Sequence, residues 1–410
     1  MILAGGRVDE LNVLTCYRPK SAVPFGGFAR VIDFPLSNLM HSGLDRVAIL
    51  SQFRSFSLIN HIGIGAAWDM IGQYRGVSIL PPSTGSGKAS WYRGSADAIY
   101  QNIDFIEYHD PEEVLILSGD HVYSMDYQDV IDYHRKKDAD LTIACLQVPM
   151  DRAHRFGVAL IDDEDGEVGG RVLQYKEKPH RPKFNWASMT VFCFKPKVLL
   201  DVLAANARED DSFEFGRDII PRMMFEQRKV YGFKFKGYWG YTRTIEEFWQ
   251  TNMDLLGPEP KIRLADWEIR TNLEHRNIRG CQPLKVGQGT SIQDSLVYNG
   301  CTVEGRVEHS ILFPGVHVKK EAVVKDSVLF FNNVVGRNVR LEKVVSDVNV
   351  TIRRGCRIGE PGNPDQKEVT VVGWNNIIPE NTVVGSDCTL YPSLKPEKLS
   401  REIKSGEIVR

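Results

Sequence analysis

Met1-Ile2-Leu3-Ala4-Gly5-Gly6-Arg7-Val8-Asp9-Glu10-Leu11 opens the chain with a short apolar strand that runs into paired glycines. Backbone N–H groups at such a turn can approach a phosphate closely, because glycine has no Cβ to hold it away. A loop with that task would also bring a cation toward a triphosphate, and here Glu10 stands in that place. The stretch therefore predicts an α/β domain with a phosphate-facing loop whose charge is reversed.

Further along, Val47-Ala48-Ile49-Leu50 and Val114-Leu115-Ile116-Leu117 are apolar runs bounded by polar residues, the pattern of buried parallel strands. The spacing predicts helices over Ser95–Tyr108 and Asp126–Lys136, and a further strand over Leu141–Cys145. Strand and helix in alternation point to a mostly parallel sheet, with ligands beyond the carboxyl ends of its strands. From about residue 284 the texture changes. Ile292, Val297, Val303, Val307, Ile311, Val318, Val323, Val328, Val334, Val339 and Val345 recur at short intervals, with Gly300, Gly305, Gly315, Gly336 and Gly355 at turns. This period suits a solenoid of parallel strands, one per triangular face, whereas a β-sandwich would show longer alternating strands and hairpin dipeptides. The chain therefore divides into an α/β domain over 1–250, a connector over 251–283, a β-helix over 284–392, and a charged tail over 393–410 that is mobile or helical.

The chain has 410 residues, 42% apolar and 25% charged, with 51 basic against 53 acidic side chains. A near-neutral balance does not favour nucleic acid as a partner. No apolar run approaches the roughly 20 residues that span a bilayer, and no basic stretch followed by an apolar region opens the chain, so neither a membrane anchor nor a secretory signal is expected. Seven cysteines without CxxC or CxxH spacing fit reduced thiols in a cytoplasmic, or plastid, compartment.

Beyond the first loop, Arg18-Pro19-Lys20-Ser21-Ala22-Val23-Pro24-Phe25-Gly26-Gly27 leads into Arg30-Val31-Ile32-Asp33-Phe34-Pro35-Leu36-Ser37-Asn38. Trp91-Tyr92-Arg93-Gly94-Ser95-Ala96-Asp97-Ala98, Leu117-Ser118-Gly119-Asp120-His121-Val122-Tyr123 and Glu177-Lys178-Pro179 follow in order. Over nearly its whole length the chain resembles the ADP-glucose pyrophosphorylase (glucose-1-phosphate adenylyltransferase) family. The resemblance implies a Rossmann-like nucleotidyltransferase domain followed by a left-handed parallel β-helix. It implies the reaction of ATP with glucose 1-phosphate to give ADP-glucose and pyrophosphate, with Mg²⁺ spreading the phosphate charge. Catalysis of this kind rests on positioning and on cations facing the phosphates. By the resemblance, Lys20 lies near the phosphates and Asp120 is the metal carboxylate. Gly5, Gly6, Tyr92 and Gly119 line the nucleotide side, with Trp91 beside Tyr92. Glu177 and Lys178 meet the glucose hydroxyls and the sugar phosphate, and Ser188 and Glu214 also face the sugar. Thr190 replaces a glycine at a sugar-facing slot, and Glu214 replaces an aspartate one methylene shorter. Arg18 and Arg30 are candidates to bind a phosphorylated or otherwise anionic effector, next to Tyr17 where bacterial members carry lysine.

The pattern breaks at one chemical centre. The family loop Gly-Gly-x-Gly-Thr-Arg-Leu becomes Gly5-Gly6-Arg7-Val8-Asp9-Glu10-Leu11. Val8 resists the positive φ a glycine allows, and Glu10 would repel a phosphate about 5 Å away by roughly 3 kcal/mol at an effective dielectric near 20. Arg7 offers a nearby cation. The family's Gly-Tyr-Trp-Arg-Asp-Val-Gly-Thr becomes Gly237-Tyr238-Trp239-Gly240-Tyr241-Thr242-Arg243-Thr244, so Tyr241 replaces the second metal aspartate with a poor Mg²⁺ ligand. A kept sugar end and a degraded triphosphate end predict a catalytically weak or regulatory subunit that binds glucose 1-phosphate and ATP or ADP-glucose. The family forms tetramers, so a homo-tetramer, or a hetero-tetramer with an active paralogue, is expected. The alternatives are an adenylyltransferase active in its own right, and another sugar-nucleotide transferase using the β-helix, where His309 and His317 stand isolated.

Overall fold

The computed structural model describes residues 1–6, 8–73, 75–82, 91–208, 212–359 and 368–410. A nine-stranded sheet organises the first part. Its spatial order is Gly76–Leu80, Arg46–Leu50, Ile2–Leu3, Val114–Ser118, Trp186–Phe194, Leu141–Gln147, Val230–Lys234, Gly169–Glu177 and Gly157–Ile161. The first four of these strands run parallel, in the register Ile2↔Ile49 and Ile2↔Leu117. Trp186–Phe194 enters antiparallel on both sides, and Gly157–Ile161 and Gly169–Glu177 close the far edge as an antiparallel pair. Residues 47–50 and 114–117 are apolar and buried inside the sheet, as strands covered on both faces are. The single long helix expected over Ser95–Tyr108 is split into Ser95–Tyr100 and Ile103–His109, while Tyr127–Lys136 is capped by the Asp126 carboxylate accepting from Gln128 N.

Residues beyond Lys285 wind into three parallel sheets, the faces of a left-handed β-helix. Val307, Val324 and Leu341 stack in register from rung to rung with their side chains buried. The rung length is set by a ladder: Ser327 N donates to the Ser310 hydroxyl 17 residues earlier, and Val344 N to the Ser327 hydroxyl. Corners need left-handed backbone, supplied by Gly300 and Gly315 and by Asn332, Asn338 and Asn349, the residues that tolerate it best. The tail departs from the sequence expectation. Glu402–Ile403 pairs with Val383–Val384, and Ile408–Val409 with Thr389–Leu390, so the charged segment, after one short 3-10 turn at Pro396–Lys398, completes the solenoid. Its isoleucines and valine sit between charged residues, which masks the strand pattern in sequence.

The two parts share one core. Phe25, Phe34 and Phe248 from the first pack on Phe313, Phe330 and Phe331 from the solenoid, with Phe248 and Phe330 ring centroids 6.0 Å apart. Each such ring contributes about 1.5–3 kcal/mol when buried. The solenoid is thereby fixed against the loops that carry the candidate site. The described cysteines are all free, and no helix among the described residues is long and apolar enough to cross a membrane.

Candidate functional site

The site lies beyond the carboxyl ends of the parallel strands. Gly119 N donates to Leu3 O and Ala4 N to Leu50 O, which brings the ends of three strands to one rim. Gly5 is pressed against the neighbouring strand, where a Cβ would fall 3.2 Å from Gln52 N, while Gly6 has open space around it. Gly119 packs inward, since a Cβ there would lie 2.9 Å from Ile2 Cγ2. Tyr92 is buried and tied at both ends: its N–H donates to Gln52 Oε1 at 2.8 Å and its hydroxyl to Leu80 O at 3.0 Å. Gly5, Gly6, Gln52, Tyr92, Arg93 and Ser95 line one lobe of a cleft. Trp91, by contrast, is 70% exposed.

A second lobe shares Lys20, Ser118, Asp120 and Glu214 with the first and adds Glu177, Lys178, Ser188 and Thr190. Glu177 is held by a close backbone cradle: a Cβ on Gly216 would fall 2.2 Å from its Oε2, and one on Gly157 2.5 Å away. The Tyr175 hydroxyl donates to the same oxygen at 3.1 Å. Lys178 turns out of the strand through a φ of 43°, and its ammonium, about half exposed, sits 3.6 Å from Glu177 Oε1. Thr190 also adopts positive φ, 54°, at the break in register between Ser188 and Phe192. A β-branched residue is strained there, so this chain keeps the backbone a glycine would suit. Glu214 points toward the first turn of Ser95–Tyr100, where its Oε2 accepts from the Ser95 hydroxyl at 2.5 Å and Ser95 N at 3.3 Å.

The opposite end is built from charges in pairs. Lys20, 2% exposed, has its Nζ 3.2 Å from Asp120 Oδ2, and His121 Nε2 lies 3.3 Å from Asp120 Oδ1. Ser118 donates to the same carboxylate. Burial alone would raise the Asp120 carboxyl, but Lys20, His121 and Ser118 outweigh it and hold it well below the ordinary carboxylate range. Burial pushes the His121 imidazole down to about 4 against the pull of Asp120. Glu10 reaches across 233 residues of chain: Arg243 Nε donates to its Oε1 at 2.8 Å. Burial would raise the Glu10 carboxyl, yet its own backbone N–H and the Arg243 guanidinium together hold it below its usual value. Arg243 Nη1 also donates to the Tyr241 hydroxyl at 3.3 Å. The Tyr241 ring is flanked by Lys20 at 5.3 Å and Arg155 at 5.4 Å. Burial raises the phenol above its ordinary value, against Arg243, so it is neutral near pH 7. Arg155 donates from Nη2 to Glu247 Oε2 at 3.0 Å, and the same carboxylate closes a capping box with Thr244 at the start of Ile245–Met253. Val8 is extended, with φ −118°, so it carries no left-handed strain, and it lines the second lobe of the cleft; Asn12 has a φ of 50°. Arg7 lies outside the described residues.

Residues 1–257 match the nucleotidyl transferase family and residues 284–378 the GlmU-like C-terminal hexapeptide family. The chain is 40% identical over 387 residues to the glucose-1-phosphate adenylyltransferase of Desulfitobacterium hafniense (strain Y51), covering 94% of this chain and 95% of that one. It is 41% identical over 422 residues to that of Thermotoga sp. (strain RQ2), covering 100% and 97%, and 43% identical over 393 residues to that of Clostridium perfringens (strain SM101 / Type A), covering 94% and 98%. The chain belongs to the glucose-1-phosphate adenylyltransferase family. Within this adenylyltransferase scaffold the four ordered motifs converge on one cleft, and the two breaks in the pattern converge on one end of it.

A two-carboxylate Mg²⁺ site does not fit that end. Asp120 is one carboxylate already engaged by an ammonium and a hydroxyl, Tyr241 is a neutral phenol, and no group of three or more His, Cys, Asp or Glu side chains among the described residues could hold a metal. A divalent cation placed on Asp120 would also meet Lys20 at close range.

Arg18 and Arg30 lie apart from the cleft, in a pocket between the two parts of this adenylyltransferase fold, with Ser57, His275, Arg276 and Trp374. Arg18 Nη2 grips the buried Asp347 at 2.8 and 3.1 Å, and Arg30 bonds the Ser57 hydroxyl at 2.7 Å and meets His275 Nε2 at 3.2 Å. Burial, with Arg18 nearby, lowers Arg30 to about 10. Tyr17 packs edge-on to Trp374 at 5.3 Å. Sequence reasoning did not single out Arg155, Arg243 or Glu247, nor the Gly157 and Gly216 cradle. Glycine inside a strand pattern is a signal for close approach that could have marked Gly157.

Proposed function

We propose that this chain is a catalytically weak or regulatory member of the glucose-1-phosphate adenylyltransferase family, one that binds glucose 1-phosphate and its nucleotide-sugar product better than it makes ADP-glucose from ATP. The Glu10–Arg243 pair beside Tyr241 carries this reading. A carboxylate and a phenol occupy the places where the chemistry needs a cation and a metal carboxylate. Losing one charged donor aimed at a developing charge costs about 10² to 10³ in rate. The sugar side supports binding: Glu177 is cradled, Lys178 is half exposed beside it, and Ser188 and Thr190 face the same lobe. Lys20 and Asp120 remain at the end of the cleft proposed for the phosphates. Such a subunit acts in a cytoplasmic tetramer with an active paralogue, and Arg18, Arg30, His275 and Arg276 offer an anionic effector a basic seat between the domains. The test is calorimetry with glucose 1-phosphate and ADP-glucose beside a turnover assay on the purified chain. Binding with turnover at least about 10²-fold below the relatives is expected. Equal turnover favours the other reading, an adenylyltransferase active in its own right with Arg243 as its cation.

A further inference from the structure

Three cations converge on one neutral ring. Lys20 and Arg155 flank the Tyr241 face, and Arg243 donates to its hydroxyl. Their carboxylate partners are not equivalent. Asp120 is held by Lys20, His121 and Ser118, and Glu247 is fixed by Arg155 and by the capping box. Glu10 has a 46% exposed side chain on the rim and a single described side-chain partner, Arg243. Exposed ion pairs of this kind are weak. A phosphate, with more charge and more acceptor oxygens, competes well for a guanidinium that offers a planar fork of donors. The two charges face each other: Glu10 stands on the glycine loop, and Arg243, which is new relative to the family glycine, meets it from the segment that carries Tyr241.

We propose that Arg243, with Lys20 and Arg155, forms a metal-independent seat for a polyphosphate, and that the Glu10 carboxylate occupies Arg243 until the phosphate displaces it. This rests on the family reading above and adds to it the means by which the phosphate tail is held. The protein's own cations supply the neutralisation that a two-carboxylate site would obtain from a metal. Arg243 thereby becomes a phosphate ligand, and Glu10 a competitor that sets its affinity.

Titration calorimetry of the full chain with inorganic pyrophosphate, in EDTA and then in excess Mg²⁺, tests this. Binding in EDTA is expected, within about threefold of that in Mg²⁺, with Arg243→Gly weakening it about tenfold or more. Glu10→Gln is expected to tighten it several-fold, and serves as the second variant should Arg243→Gly fold poorly. No binding in EDTA, unchanged affinity in Arg243→Gly, or no gain in Glu10→Gln would overturn the seat. Glucose 1-phosphate is titrated into the same preparations. If it binds and is weakened by Lys178→Ala while pyrophosphate ignores Arg243, the family reading stands and the seat falls. If pyrophosphate depends on Arg243 and glucose 1-phosphate does not bind, the seat stands and the sugar-site reading falls.

Discussion

The two ends of the cleft have been treated differently. At the end proposed for the sugar, glycines press against Glu177, and Lys178 and Thr190 hold positive φ. At the phosphate end the residue types have changed sign or lost charge, yet the changes fit one another, since Glu10 meets Arg243 and Arg243 meets Tyr241. A substitution read alone looks like damage. Read with its partner in space, it is a local exchange in which each changed side chain finds a partner.

The sharpest way to break this contrast is to undo the exchange. Glu10→Arg alone would set two guanidinium groups against each other, so the variant that matters is Glu10→Arg with Tyr241→Asp and Arg243→Gly. Its ADP-glucose formation should rise by about 10² to 10³, measured as pyrophosphate release in Mg²⁺. No rise would mean that the difference between the ends lies elsewhere.

Acid probes the same end through folding. His121 is 6% exposed and its folded value is about 4, against about 6.5 unfolded, so the unfolded chain takes up the proton first as pH falls. The contribution of this residue should therefore drop between about pH 6.5 and 4, by up to about 3 kcal/mol, and be level above pH 7. Urea unfolding of wild type and His121→Gln across that range checks it; the variant should show a flatter curve.

A smaller effect is expected at the sugar end. Lys178→Ala should weaken glucose 1-phosphate binding about 10- to 100-fold, the worth of one charged hydrogen bond, with little change in stability because the side chain is half exposed. Calorimetry decides it, and an unchanged affinity would remove the sugar end from the comparison. The smallest effect is that of Glu10→Gln on folding. An exposed pair contributes about 0–1 kcal/mol, so a shift well beyond that in urea unfolding would show the pair to be a structural clamp.

Much of this was legible in the chain itself. The short apolar runs place the parallel strands, the recurrent valines place the solenoid, and Lys20, Asp120, Glu177 and Lys178 meet in one cleft as the ordered motifs imply. What was not legible depends on distance in sequence. Nothing in a linear reading ties Glu10 to Arg243, 233 residues away, or sets Arg155 over the Tyr241 ring. Nor does the sequence show that Val8 sits in extended backbone, free of the left-handed strain a glycine's place suggests. The last residues of the solenoid were hidden because Glu402–Ile403 and Ile408–Val409 are set among charged residues that interrupt the run of valines.

The claim on which the account turns is that the phosphate end no longer supports efficient adenylyl transfer while the sugar end still binds. The direct measurement is the steady-state rate of ADP-glucose formation by the purified chain alone, with saturating ATP, glucose 1-phosphate and Mg²⁺, beside the relative from Thermotoga. A rate lower by about 10² or more, from protein that binds glucose 1-phosphate, is the result predicted here. A rate equal to that of the relative would contradict it.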